Sequence, residues 1–418
     1  MRAGRLRAPP LLRQNASFRS FWLGQTVSLV GDQISLLALP LTAVLTLHAG
    51  PAEMGYLTAA NLVPNLLFSV HAGAWADRRG RRRELMIATD VGRCALLASI
   101  PAAWALGVLS MAQMYVVAFC TGSLSVLFWV SYSSVFTIML DRAQYVAGSS
   151  LLNGSRAASA MAGPSIGGLL VQALTAPLAV GADALSFLAS ALFMRRIDAT
   201  EPPGDTDSDD GVTAGLRFLR AEPVMRASLA ATATINLFNF MFFALFVLFA
   251  TRRLHVSPGA LGLVLGAGAV GGVIGSVVTT PIQRRLGIGP AFALGCVLFP
   301  APLVLVPLAG GPRWLVLAML FAAEFGSGFG VMLLDICFGA ITASLVPNRL
   351  RSRVAGAYLV VNYGVRPLGS LAGGLIGAAL GLRPALWIAT VGAIAGVLWL
   401  LPSPVLGMRE LPAEAEPG

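Results

Sequence analysis

Lysine is absent from this chain: all 29 basic residues are arginine. We read this as a compositional bias rather than as chemistry. Charge of either sign is scarce. Only 11% of the 418 residues are charged while 56% are apolar, and the mean hydropathy is +0.77. A water-soluble surface needs more charge than that. Histidine is nearly missing too, and His48, His71 and His255 lie too far apart to form a motif. The four cysteines, Cys94, Cys120, Cys296 and Cys337, have no paired spacing, which argues against a zinc site or a disulfide framework. No nucleophile–base constellation or phosphate-binding loop is present, so neither an enzyme nor a cofactor is expected.

Long uncharged runs dominate instead. Residues 55–76, 112–140, 227–251, 257–283, 286–312 and 384–408 contain no acidic residue and no arginine. Each can cross a hydrocarbon core of roughly 30 Å as a helix, and only helices or closed barrels satisfy their backbone groups in lipid. The short alternating segments of a barrel are not seen. The expected fold is an all-α membrane protein of twelve helices. The spans are 18–47, 55–75, 85–107, 112–140, 152–175, 178–194, 227–250, 259–281, 289–309, 314–342, 354–380 and 384–402. The start, a basic segment before a long apolar run, reads as an uncleaved first helix rather than a signal peptide.

The distribution of arginine sets the orientation. With the N-terminus inside, 23 arginines fall at inner helix ends and loops. Only Arg252, Arg253, Arg313 and Arg383 fall outside, and Arg93 and Arg366 lie within spans. Arginine gathers on the cytoplasmic side. Both termini are therefore expected in the cytoplasm of a cell inner (plasma) membrane, and the formal charge of +10 reflects that bias rather than a nucleic-acid partner.

One segment, 198–213, concentrates six acidic residues with Pro, Gly and Ser and cannot bury a core. Residues 214–226 then read as a basic amphipathic helix on the inner surface. The expected organisation is an N-terminal six-helix bundle (1–197), a linker with a short helix (198–226), a C-terminal six-helix bundle (227–402) and a cytoplasmic tail (403–418). The halves echo each other. Gly163-Pro164-Ser165-Ile166-Gly167-Gly168 is matched 206 positions later by Gly369-Ser370-Leu371-Ala372-Gly373-Gly374. Matching Gly80 to Gly287 and Gly148 to Gly356 gives nearly the same offset. Duplicated six-helix halves with a site between them are one plan for carriers.

Two motifs go beyond this bookkeeping. Between spans two and three stands Gly73-Ala74-Trp75-Ala76-Asp77-Arg78-Arg79-Gly80-Arg81-Arg82-Arg83. A positive-inside loop explains its arginines, but not Gly73 four residues before Asp77 or Gly80 in the turn, where glycine permits close approach and a tight bend. The stretch resembles the signature loop of the major facilitator superfamily, Gly-x-x-x-Asp-Arg-x-Gly-Arg-Arg. Span five carries Gly163-Pro164-x-x-Gly167-Gly168, which resembles the antiporter motif of exporters in that superfamily; generic packing of small residues is the other reading. Ser159 stands where the motif usually has glycine. Phe18-Arg19-Ser20-Phe21-Trp22-Leu23-Gly24-Gln25 with Gly31-Asp32, the segment Gly215–Arg220 and Asp183-Ala184-Leu185-Ser186-Phe187 resemble the enterobactin-exporter and macrolide-efflux type of drug:proton antiporter. One departure is that span four holds no arginine, which many proton-coupled drug exporters carry there.

The resemblance implies two pseudo-symmetric six-helix bundles that rock about a central cavity lined by spans one, four, seven and ten. It implies that Gly73, Asp77, Arg78, Gly80 and Arg81 form a cytoplasmic latch. It also implies proton-coupled export of a small amphipathic organic compound (drug, macrolide or siderophore-like) by a monomer. An importer or facilitator of the same fold, or a non-transporting receptor, are the alternatives. Acids within spans are costly and invite a functional question. Asp32, near the middle of span one, and Glu324, near the middle of span ten, are candidates to hold the proton or the substrate, each with a purely structural alternative. Asp335 and Arg366 are further candidates, with a structural ion pair between them as the favoured reading. Asp90 and Arg93 share one helix face and read as a local pair. Asp183 reads as an acid able to snorkel to the outer surface. Trp129, Tyr132, Asn236 and Asn239 are cavity candidates suited to amphipathic or cationic compounds, with lipid-facing positions equally open for the aromatics.

Overall fold

The computed structural model describes residues 9–197 and 211–410, with the side chains of 69–79 and 211–213 outside the description. The linker 198–210 and the ends of the chain also lie outside it. The described residues are helical apart from short connections. We number the twelve long helical segments α1 (Ala16–Leu41), α2 (Pro51–Arg79), α3 (Arg82–Ala105), α4 (Met111–Met139), α5 (Tyr145–Ala173), α6 (Ala176–Met194), α7 (Pro223–Arg252), α8 (Pro258–Leu286), α9 (Ile288–Leu308), α10 (Arg313–Leu345), α11 (Arg351–Leu380) and α12 (Leu382–Leu400). Nine of these are long and apolar enough to cross a membrane. The other three, α2, α5 and α11, are as long but richer in small and polar residues. All three face the opposite half rather than lipid alone, so their composition follows from what they pack against.

Local chemistry explains most boundaries. Asn15 caps α1 by accepting a hydrogen bond from Phe18 N at 2.8 Å and ties it to α4 by donating to Met139 O at 3.0 Å. Gly80, at φ +62°, makes the left-handed turn between α2 and α3, a conformation glycine adopts without steric cost. Pro300 and Pro302 end the α-helical part of α9 at Leu298 and leave a 3₁₀ turn at Ala301–Val304, because proline removes the backbone donor that an α-helix needs.

Two expected boundaries shift. The amphipathic helix spans Gly211–Ala221, and Pro223 opens α7 with Val224 and Met225 already buried. Proline suits the first helical position, where its missing N–H costs nothing. The surface helix docks through Leu219, which is fully buried, and through Gly215, whose bare backbone abuts Arg353 of α11. The described part of the tail is also anchored: Met408 O accepts from Gly289 N at 2.9 Å at the start of α9.

The internal echo becomes a spatial one. An added Cβ at Gly167 would stand 3.0 Å from Ile34 Cα of α1, and one at Gly373 would stand 2.9 Å from Met241 Cα of α7. Ile34 and Met241 are 207 positions apart. Each half thus packs its fifth helix on its first in the same way.

The apolar core shows which end is closed. One large cluster joins both halves, from Ile34–Val44 and Met54 to Phe242–Ala250 and Leu261. These residues occupy the helix ends remote from the termini. Near the termini the halves have separate clusters, one around Phe18, Phe21, Met86 and Met194, the other around Ile235, Phe292, Cys296 and Leu400. Among the described residues, therefore, the halves share a core at one end and have separate cores at the other.

Candidate functional site

The sealed end is held by backbone contact. Gly168 of α5 abuts Pro258 and Gly262 at the start of α8, and a Cβ on it would stand 3.1 Å from Gly262 Cα. Gly374 of α11 abuts Pro51 and Gly55 at the start of α2, with Gly55 Cα at 2.9 Å from its would-be Cβ. Gln172 adds a cross-half bond by accepting from Gly259 N at 3.1 Å. Gly163 and Gly167 face α1, against Gln33 and Ile34. Pro164 is inside the helix and its carbonyl meets Gly262. The Gly-Pro-x-x-Gly-Gly stretch thus joins α5 to its own first helix on one side and to the other half on the other.

Below this seal a cavity of about 730 Å³ opens between the halves. Asp32 and Gln33 of α1, Asn65 of α2, Trp129 of α4, Arg156 of α5 and Tyr363 of α11 line it. On the sealed side a second pocket of about 230 Å³ is lined by Ser35, Thr58, Asn61, Thr121 and Asp183, with Phe243 from the other half. Asp32 borders both. Its carboxylate makes no ion pair and no hydrogen bond with a described residue.

Behind Asp32 lies a buried polar cluster. Asp183 accepts from Ser35 of α1, and from Ser186 of its own helix at 2.9 Å. It is only 1% exposed, so it points into the α1–α6 seam and does not snorkel. Gly31 makes that possible, because a side chain there would collide with Asp183 and Ser186. Asp90 and Arg93 form the expected pair, fully buried. The Arg93 guanidinium lies between the rings of Phe128 and Phe187, 4.4 and 4.2 Å from their centroids.

The C-terminal half is arranged differently from the expectation. Glu324 does not border the Asp32 cavity; its carboxylate lies near Gly268 of α8, 3.5 Å from where a Cβ would stand. Asp335 and Arg366 make no ion pair within 4 Å. Arg366 donates Nε–H to Asn236 Oδ1 at 3.1 Å and stacks on Tyr363 at 4.1 Å, while Asp335 is exposed. Asn236 also donates to Asn362 at 3.0 Å, so it bridges α7 to α11 instead of lining the cavity. Asn239 is not among the lining residues either. Similar depth along two helices does not bring two side chains together when their rotations about the helix axes differ.

Of the latch residues, Gly73, Asp77 and Arg78 have side chains outside the described residues. Arg81 pairs with Glu84 at 3.3 Å on the surface. Arg83 caps the end of α6 by donating to the carbonyls of Met194 and Arg195 at 3.0 and 2.6 Å.

Arg156 belongs to the site although its position near the inner end of span five groups it with the cytoplasmic arginines. It stands over Trp129 and Tyr132, 4.7 and 5.7 Å from their ring centroids. Its spacing contained part of the signal: positions 156, 159, 160, 163 and 167 follow one helix stripe, so Arg156 shares a face with the motif glycines, and the structure turns those glycines toward α1.

The sequence comparisons agree with this arrangement. A family model described as the Major Facilitator Superfamily matches residues 21–370. The multidrug efflux pump Tap of Mycobacterium tuberculosis is 28% identical over 374 residues, covering 84% of this chain and 85% of Tap. The uncharacterised MFS-type transporter YfiS of Bacillus subtilis is 25% identical over 383 residues, 89% of each chain. A solved bacterial homologue of the human lysosomal transporter Spinster, in an inward-facing and unoccupied conformation, aligns with a TM-score of 0.73 at 14% identity, covering 97% of this chain and all of that one. A family match across most of the chain, on twelve helices in two related bundles around a shared cavity, makes this protein a multi-pass membrane transporter of the major facilitator superfamily and not an enzyme.

Proposed function

We propose that the protein exports a small amphipathic organic compound in exchange for protons, by alternating access, with both termini in the cytoplasm. The observation that carries this reading is the position of Asp32. It stands in the wall between a cavity open toward the termini and a small polar pocket beneath the seal. A carboxylate so placed, without a paired cation, exchanges its proton with whichever side water reaches. Substrate enters the larger cavity from the cytoplasm, the halves rock, and a proton arriving from outside discharges it. The described conformation is then the inward-open one. The arginine bias supports the orientation, and the export motif in α5 and the similarity to Tap support the direction.

The role of the Gly73–Arg83 loop as a cytoplasmic latch, the division into bundles at 1–197 and 227–402, and a monomeric state belong to the same proposal. Asp77 at the end of α2 is suited to accept from a helix N-terminus when the inner side closes.

The test is proton flux and substrate efflux measured together in vesicles across imposed pH gradients. Asp32→Asn is expected to lose proton-driven accumulation while still exchanging substrate down its own gradient. Full proton-coupled efflux by the variant would remove Asp32 from the mechanism. Accumulation of substrate inside intact cells would overturn export.

A further inference from the structure

The large cavity contains two opposite charges that do not meet. Asp32 reaches it from α1 and Arg156 from α5. Neither forms an ion pair within 4 Å with any described residue. Arg156 is exposed to the cavity and lies 11 residues into α5, about 16 Å along its axis at 1.5 Å per residue. A guanidinium on a membrane helix that lines a cavity between the halves calls for a partner. Among the described residues the protein supplies the faces of Trp129 and Tyr132 and the Tyr132 hydroxyl, but no carboxylate. Cation–π contact orients a guanidinium and leaves its outer N–H groups available. Arg366, the other arginine near the cavity wall, uses its Nε–H on Asn236; Arg93 is spent on Asp90 and two phenyl rings.

We propose that the cavity is a two-pole site for zwitterionic amphipathic compounds, with Asp32 holding the cationic end and Arg156, standing on Trp129 and Tyr132, holding the anionic end. This deepens the export reading, since it takes the same cavity as the substrate site. A singly charged compound pairs with one pole and leaves the other facing it unmatched. A zwitterion satisfies both, and fork geometry favours a carboxylate, phosphonate or sulfonate at Arg156. Leu29, Val126 and Trp129 add apolar lining to the same cavity, and about 730 Å³ is within the range of pockets that hold drug-sized ligands.

The experiment measures binding to the purified full-length protein, with no gradient, for three matched probes: 4′-(aminomethyl)biphenyl-4-carboxylate, 4-(aminomethyl)biphenyl and biphenyl-4-carboxylate. The zwitterion is expected to bind at least tenfold more tightly than either singly charged probe. Arg156→Gln should reduce its affinity to that of the amine and leave the amine unweakened, while Asp32→Asn should reduce it to that of the carboxylate. Arg156→Lys, which keeps the charge without the fork, should retain an intermediate preference and guards against loss of fold. Equal binding of amine and zwitterion, an unchanged ranking in Arg156→Gln, or no binding of any probe overturns the two-pole site. Because no transport is involved, a zwitterion preference in a protein that accumulates substrate inside cells would refute export and leave the two-pole site standing.

Discussion

Gly168 of α5 and Gly262 of α8 touch backbone to backbone across the two halves, and Gly374 of α11 and Gly55 of α2 repeat the contact on the other side of the molecule. Gly168 and Gly374 are 206 positions apart, Gly55 and Gly262 207. Without a Cβ on either partner, the helices approach closely enough for main-chain packing and carbonyl contacts to replace side-chain contacts. Two such seams, related by the internal repeat, close the end remote from the termini.

Gly168→Leu should therefore prevent that end from closing. Transport is expected to fall at least tenfold with unchanged membrane insertion. Gly154→Leu, on the same helix with nothing within 4 Å of its would-be Cβ, should remain active. Efflux assays on cells expressing matched amounts of the two variants would decide it, and an active Gly168→Leu protein would reduce the motif to ordinary packing. Gly167→Leu is expected to behave like Gly168→Leu, through α1.

Gly31→Val should force α1 and α6 apart. The new side chain would meet Asp183 and Ser186, whose Cβ lies 2.7 Å from the would-be Cβ. Overpacking of this kind costs about 1–3 kcal/mol. The midpoint of thermal unfolding in detergent is expected to fall, and Gly24→Ala, where the nearest atom is at 3.1 Å, should fall less. Equal midpoints would mean that the seam is looser than the contacts indicate.

Asp90→Asn should strip Arg93 of the carboxylate it pairs with among the described residues, while leaving it buried between Phe128 and Phe187. Removing one member of a buried pair costs about 3–5 kcal/mol. The double variant Asp90→Asn/Arg93→Met should recover part of that loss, because the unpaired buried guanidinium is then gone. A double variant less stable than Asp90→Asn would show that the stacking of Arg93, not its charge balance, supports α3.

Topology is open to a direct check. A reporter fused after Pro51 should read outside, and one fused after Gly204 inside. Readings on the same side would break the twelve-span order.

The latch has its own test in Asp77→Asn, which should reduce transport without affecting insertion. Normal turnover by well-inserted protein would leave the Gly73–Arg83 loop as an orientation signal alone.

Helix number and class were legible because hydropathy is a property of segments, and a membrane helix meets its whole solvent requirement within one segment. The repeat was legible because glycine cannot be replaced where two backbones touch. The candidate site was legible only in part. Asp32 could be singled out by depth and by the lack of an arginine within one helical turn in sequence. Glu324 had the same depth but lies near Gly268, outside the lining of the Asp32 cavity. Asp335 and Arg366 had matching depths but no pairing, since Asn236 takes Arg366.

By itself, the sequence determined that the chain is a bundle of membrane helices in two related halves, with its arginines gathered on one side. Each of those features follows from local composition and spacing. Only the tertiary structure decided that Asp183 is buried between α1 and α6, that Arg156 and Asp32 line a common cavity, and that one end is closed. These depend on how each helix is turned about its own axis. That rotation is set by packing against non-adjacent helices, through contacts such as Gly31 with Asp183 and Gly168 with Gly262, which no single apolar segment encodes.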